Sequence, residues 1–169
     1  NTKIVSSIFV KENFFNNDIY TKIVNEMVSI EYAPPEAEIR KAFDGTFWHV
    51  HYLPDNCELQ IVIKKLIQEH FHYEISKYVY PSLYTMVGAT DKPRPHIDLN
   101  KGCTHQCLIY MHGPKSINNG TGFYKDGELD MHVGFKPNRA IFFTSDVYHT
   151  PLQWNGNGSF RYSINNFFT

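Results

Sequence analysis

From about residue 75 onward the chain is cut into short apolar or β-branched runs separated by turn residues, and that spacing most restricts what it can fold into. The candidate strands are 82–87, 96–98, 106–111, 122–125, 129–133, 140–143, 148–152 and 160–168. Asp126-Gly127 stands between two of them and predicts a tight hairpin; Asn155-Gly156-Asn157-Gly158 predicts a turn before the last strand. About eight short strands need a partner layer to bury their apolar faces, which argues for a β-sandwich or barrel.

The first half carries a different rhythm. Residues 4–10 are apolar and β-branched and predict a first strand, closed by Phe14-Phe15. Asn17 or Asp18 is a candidate cap for a helix in which Ile19, Ile23, Val24, Met27 and Ile30 recur at helical spacing. Ala33-Pro34-Pro35-Glu36 breaks it, and residues 47–53 read as a strand or an aromatic loop. Asp55-x-x-Glu58 resembles a capping box ahead of a second helix, with Leu59, Val62, Ile63, Leu66, Ile67 and Phe71 as its buried stripe. The expected fold is mainly β (α+β), a double-stranded β-helix or jelly roll with N-terminal helices outside one sheet. With 169 residues and no repeats or linkers, one domain is expected over 1–169, its jelly-roll core at about 75–169 and its helices in 1–74.

Chemistry concentrates in Pro95-His96-Ile97-Asp98-Leu99-Asn100. On an extended strand His96 and Asp98 share a face, roughly 6.6 Å apart along the backbone, and an imidazole with a carboxylate can grip two adjacent positions of one metal ion. His149, in Asp146-Val147-Tyr148-His149-Thr150-Pro151, is the best third ligand. Two histidines and one carboxylate on one face of an octahedron leave three positions open, the arrangement of non-haem Fe(II) oxygenases. Nine histidines make chance combinations easy, so His149 gains weight from Arg161, twelve residues on. In the last strand, alternation puts Phe160, Tyr162 and Ile164 on one face and Arg161, Ser163 and Asn165 on the other. A buried arginine is costly without an anion, so Arg161 calls for an acidic ligand or a buried Asp or Glu partner.

In these residues and their order the chain resembles the Fe(II)/2-oxoglutarate-dependent oxygenases, particularly the prolyl-hydroxylase-like group. The resemblance runs over about 83–168. It implies that His96, Asp98 and His149 ligate Fe(II), and that Arg161 and Ser163 hold the far carboxylate of 2-oxoglutarate. Tyr110, in the strand Cys107-Leu108-Ile109-Tyr110-Met111, matches a tyrosine that also reaches this carboxylate, and Tyr84 matches a second one in poorer register. Asn119-Gly120-Thr121-Gly122 resembles the family's glycine turn, and the run from Lys136 to Phe143 the strand leading to the distal histidine. The family converts 2-oxoglutarate and dioxygen to succinate and CO2 as a substrate carbon is hydroxylated. The substrate implied is a prolyl residue of a protein or peptide, or else a free amino acid or other small molecule. No family motif registers in the first half.

Other readings compete. A cupin-like metal enzyme would have no need of Arg161-x-Ser163. A non-catalytic jelly-roll binding module would expose Trp48 or Trp154 as an aromatic platform. Asp98 fills the position where halide would bind, which disfavours a halogenase. Cys103-x-His105-x-Cys107 suggests zinc but lacks a fourth ligand, and His49-x-His51 has no carboxylate to complete a set. Lys92, Arg94 and Lys101 form either a basic rim or a solvated loop. Phe47 to Tyr52 is the expected wall facing the metal, with Trp48 or His51 and Arg94 at the mouth. A formal charge of −1 gives no general pull towards nucleic acid or membrane, and no apolar run is long enough to span a bilayer. Three cysteines cannot all pair within the chain, which, with no recognisable signal peptide, points to the cytoplasm.

Overall fold

The computed structural model describes residues 7–32, 48–88, 93–152 and 160–169. The proline break at 33–36, the turn at 155–158, and Phe47, Lys92 and Trp154 lie outside the described residues.

Among the described residues, nine strands form two antiparallel sheets. They are β1 (Ile8–Lys11), β2 (Trp48–Tyr52), β3 (Leu83–Val87), β4 (His105–His112), β5 (Gly120–Lys125), β6 (Glu128–Gly134), β7 (Arg139–Thr144), β8 (Tyr148–Leu152) and β9 (Arg161–Phe168). The larger sheet has the order β1-β7-β4-β9-β3-β2 and the smaller β6-β5-β8. The architecture is a mainly β sandwich of jelly-roll type. Asp126 and Gly127 take φ of 53° and 83°, the two left-handed positions that a two-residue hairpin needs between β5 and β6.

Two helices, α1 (Asn17–Ser29) and α2 (Glu58–Phe71), follow β1 and β2 respectively and precede the other seven strands. Neither starts as its sequence suggests. The cap of α1 is Asn16, whose side chain accepts a 2.9 Å bond from the Ile19 amide, so the capping residue precedes Asn17 and Asp18. In α2 the cap is Cys57 with no side-chain bond, so Asp55-x-x-Glu58 forms no capping box; Asp55 stands two residues too early. The helical periodicity does set which residues are buried. Ile23, Met27, Ile63 and Ile67 join one apolar cluster with Cys107, Ile109, Ala140, Phe142, Ile164 and Phe168 of the larger sheet. Phe71 stacks on Phe142 with ring centroids 4.9 Å apart, tying α2 to β7.

Alternation along β4, β7 and β9 then dedicates the opposite face to the space between the sheets. Tyr110, Ile141 and Phe143 meet Phe123 and Val133 of the smaller sheet in a second cluster. Among the described residues no helix is long and apolar enough to cross a membrane. Ile67 is fully buried between α2 and the sheet. Ile67→Ala should cost about 2–5 kcal/mol of stability in denaturant unfolding while leaving divalent-metal affinity unchanged, because the helix layer and the site occupy opposite faces.

Candidate functional site

The site begins with two backbone bonds. The His96 amide donates to the His149 carbonyl and the His149 amide to the His96 carbonyl, both at 3.0 Å. Directly opposed antiparallel residues carry their side chains on one face, and here the two imidazole centroids lie 4.6 Å apart. Residues 96–98 are therefore not a strand with alternating faces. After the single bridge at His96 the chain turns, and Asp98, at φ −110° and ψ 13°, leads into a 3-10 turn at Leu99–Lys101. The Asp98 amide donates to the Ser145 carbonyl at 3.2 Å, which fixes the turn against the loop after β7.

This turn carries the Asp98 carboxylate to the imidazoles. Its Oδ2 is 3.2 Å from His149 Nε2 and its Oδ1 is 4.0 Å from His96 Nε2. One ligand atom from each of the three residues lies within 4.8 Å of the other two, a spacing that a single ion can bridge. Both Nδ1 atoms are committed elsewhere. That of His96 is 3.1 Å from the Arg94 carbonyl and that of His149 is 3.0 Å from the Val147 carbonyl. A carbonyl only accepts, so each Nδ1 carries a proton and each Nε2 is the nitrogen left to face the metal position, where a metal would replace the hydrogen bond that His149 makes to Asp98. Burial alone would push the Asp98 carboxyl up, but the His149 hydrogen bond and the Lys101 ammonium outweigh it and hold it well below the usual carboxylate range. Partial burial, with His149 close by, lowers the His96 imidazole, which favours the neutral form that a metal requires.

Arg161 supplies the second element. It is 2% exposed, and its Nη1 donates to the Gly120 carbonyl at 2.6 Å and to Asn119 Oδ1 at 3.2 Å. Both acceptors are neutral, and among the described residues no carboxylate pairs with the guanidinium. Its Nε and the Ser163 Oγ, two residues along the same face of β9, are buried with no hydrogen-bond partner. A buried cation with an orphaned donor beside an orphaned hydroxyl is a receptor for an anion from outside the chain. Two glycines beside Arg161 stand where a side chain would not fit. A Cβ on Gly113 would come within 2.9 Å of Arg161 Cβ, and one on Gly120 would collide with the Val133 carbonyl oxygen.

One cavity of about 510 Å3 joins the two elements, with His96, Asp98, His149, Arg161 and Ser163 all in its lining. Tyr110 is buried beneath it. Its ring lies 5.5 Å from the Arg161 guanidinium carbon and its hydroxyl is 2.6 Å from Thr121 Oγ1, so Thr121 rather than the tyrosine borders the cavity. Tyr84 is not brought to the site. Its neighbours Leu83 and Thr85 line the cavity, whereas alternation turns Tyr84 into the helix-side cluster, one position out of register for a contact. The same alternation in β2 gives Trp48, Val50 and Tyr52 to the cavity, and Arg94 also lines it; His51 instead lies 6.0 Å from the Tyr84 ring. Cys103, His105 and Cys107 do not converge on a metal position, and no other three-residue metal group occurs among the described residues. The roles of Asn119, Gly120 and Gln106 escaped the sequence. The glycine turn marked the first two without showing that their oxygens face Arg161. Gln106, whose Nε2 donates to Asp98 Oδ2 at 2.8 Å, had no local signal at all.

No protein-family model matches the chain, and no curated protein matches it by sequence. Its likeness to solved structures is one of fold. A prolyl-4-hydroxylase of Pseudomonas putida superposes with a TM-score of 0.68 at 12% identity, over 98% of this chain and 94% of that one. A prolyl hydroxylase of Trichoplax adhaerens, solved with a hypoxia-inducible-factor degradation-domain peptide fragment, gives 0.65 at 13%, over 95% and 82%. The viral collagen prolyl hydroxylase of Paramecium bursaria Chlorella virus-1, in a 2-oxoglutarate complex, gives 0.60 at 14%, over 95% and 94%.

Asp98→Ala removes the only carboxylate of the three-residue group. Calorimetric titration with Mn(II) should show affinity falling by more than about 100-fold, beyond what loss of an outer partner causes.

Proposed function

We propose that the chain is an Fe(II)- and 2-oxoglutarate-dependent oxygenase that hydroxylates a carbon centre, with His96, Asp98 and His149 as iron ligands. The observation that carries this reading is Arg161. It is a buried cation whose partners among the described residues are all neutral, in the same cavity as the two imidazoles and the carboxylate. A metal enzyme acting directly on its substrate would have no use for that cation. A dicarboxylate with one end at the metal and the other at Arg161 uses both. The fold shared with prolyl hydroxylases, one of them in a 2-oxoglutarate complex, supports the same assignment.

In this reading Fe(II), when bound, activates dioxygen at the expense of the 2-oxo acid. The chain's own residues bind and orient. Arg161 Nε and Ser163 Oγ, orphaned and buried, take the far carboxylate, and the absence of screening water makes that pairing strong and position-specific. Tyr110 supports the guanidinium from below through its ring. Two imidazoles and one carboxylate leave positions open for the near end of the 2-oxo acid. Trp48, Val50 and Tyr52 of β2, with Arg94, form the wall on the substrate's side. We assign the substrate to a prolyl residue of a protein or peptide, because one neighbour in fold is solved with a peptide fragment. The three free cysteines suit a reducing cytoplasm.

Anaerobic addition of Fe(II) and then 2-oxoglutarate should produce a metal-to-ligand charge-transfer band in the visible. Arg161→Ala should keep metal affinity but weaken 2-oxoglutarate by about 2–5 kcal/mol, or about thirty-fold or more. Equal 2-oxoglutarate binding by mutant and parent would refute the co-substrate assignment. At the mouth, Trp48→Ala and Arg94→Ala should leave substrate-independent decay of 2-oxoglutarate intact and reduce peptide hydroxylation, measured by mass spectrometry as a 16 Da gain (one oxygen atom, about 16 Da).

A further inference from the structure

Besides the two imidazoles, Asp98 is held by two side chains of different charge. Gln106, in β4, donates through Nε2 to Oδ2 at 2.8 Å. Lys101, at the end of the 3-10 turn, places its Nζ 2.7 Å from Oδ1. Gln106 is 5% exposed, and its register partners are Phe143 on β7 and Phe167 on β9. Directly opposed residues share a face, so an aromatic ring stands on each side of the amide and keeps water from competing for the bond. Lys101 is steadied differently, its ammonium lying 4.6 Å from the centre of the Phe167 ring.

We infer that Gln106 and Lys101 act on the metal through Asp98 with opposite sign: Gln106 is a positioning residue that strengthens divalent-metal binding, and Lys101 is a counter-charge that weakens it. This rests on the metal reading given above. A neutral donor on Oδ2 fixes the plane of the carboxylate without drawing away its charge, so the ligand is aligned before the ion arrives. An ammonium on Oδ1 stabilises the carboxylate in the absence of an ion. Once a dication binds, the same ammonium competes for that charge and repels the newcomer. Lys101 thus holds the metal affinity below the maximum that the three ligands aligned by Gln106 could give.

The test uses the full chain and Mn(II) alone, with bound ion counted by loss of the free Mn(II) electron paramagnetic resonance signal. Gln106→Met keeps the length and removes the donor; its affinity should fall by about 10–100-fold. Lys101→Met keeps the stem and removes the charge; its affinity should rise several-fold. Two merely structural residues would shift affinity in the same direction, so the opposed signs are the diagnostic result. Both variants weakening, or neither changing, overturns the inference while parental Mn(II) binding leaves the metal site standing. If the parent itself fails to take up Mn(II), the metal reading falls and this inference with it. Should Gln106→Met not fold, the partly exposed Lys101 decides alone: unchanged or weaker binding by Lys101→Met rejects the proposal.

Discussion

The reciprocal pair of backbone bonds between His96 and His149 is the constraint from which the site follows. Each bond alone would tie a loop to a strand. Together they make two residues, distant in sequence, exact neighbours across an antiparallel bridge, and that relation fixes the direction of both side chains. No side-chain interaction is needed to bring the imidazoles side by side. The carbonyls of Arg94 and Val147, each two residues back from its histidine, then set which nitrogen faces inward. Backbone geometry supplies both the position and the tautomer, and Asp98 is added by a turn that starts two residues later.

Charge completes the logic. Among the described residues the cavity holds one buried carboxylate, at Asp98, and one buried guanidinium, at Arg161, and they are not partners. A fold seeking stability alone would pair them or replace both with apolar groups, since isolated buried charges are destabilising. Instead each is held by other, mainly neutral groups: Asn119 and Gly120 at one nitrogen of the arginine, Gln106 with Lys101 at the aspartate. Separation of two opposite charges inside one cavity favours a ligand that is itself divided, cationic at one end and anionic at the other. A metal with a chelating dianion meets that description.

What could be seen in the sequence was whatever depends on short-range periodicity. Arg161 and Ser163 on one face of β9, the hairpin at Asp126-Gly127 and the stripes of both helices all follow from alternation or helical spacing within one element. The order of sandwich strands after residue 75 was legible for the same reason. Missing were the relations between elements. Gln106 matters because β4 passes beside the turn holding Asp98, and nothing in its neighbourhood of the chain says so. Tyr84 went astray by a single residue, since a strand's faces exchange with every step of register. His96 and Asp98 converge as expected, yet through a bridge and a turn rather than an extended strand.

The position of β2 has a further consequence. It is an edge strand of the larger sheet, bonded in that sheet to β3, whereas β9, which carries Arg161 and Ser163, lies between β3 and β4. Side chains at an edge answer to fewer neighbours than those in the middle of a sheet, so Trp48, Val50 and Tyr52 can change with little disturbance to the strands behind them. The interior strand has no such freedom. A lineage built on this scaffold can therefore exchange the side chains of this cavity wall while Arg161 and Ser163 stay fixed, and diversification is expected to begin at the rim.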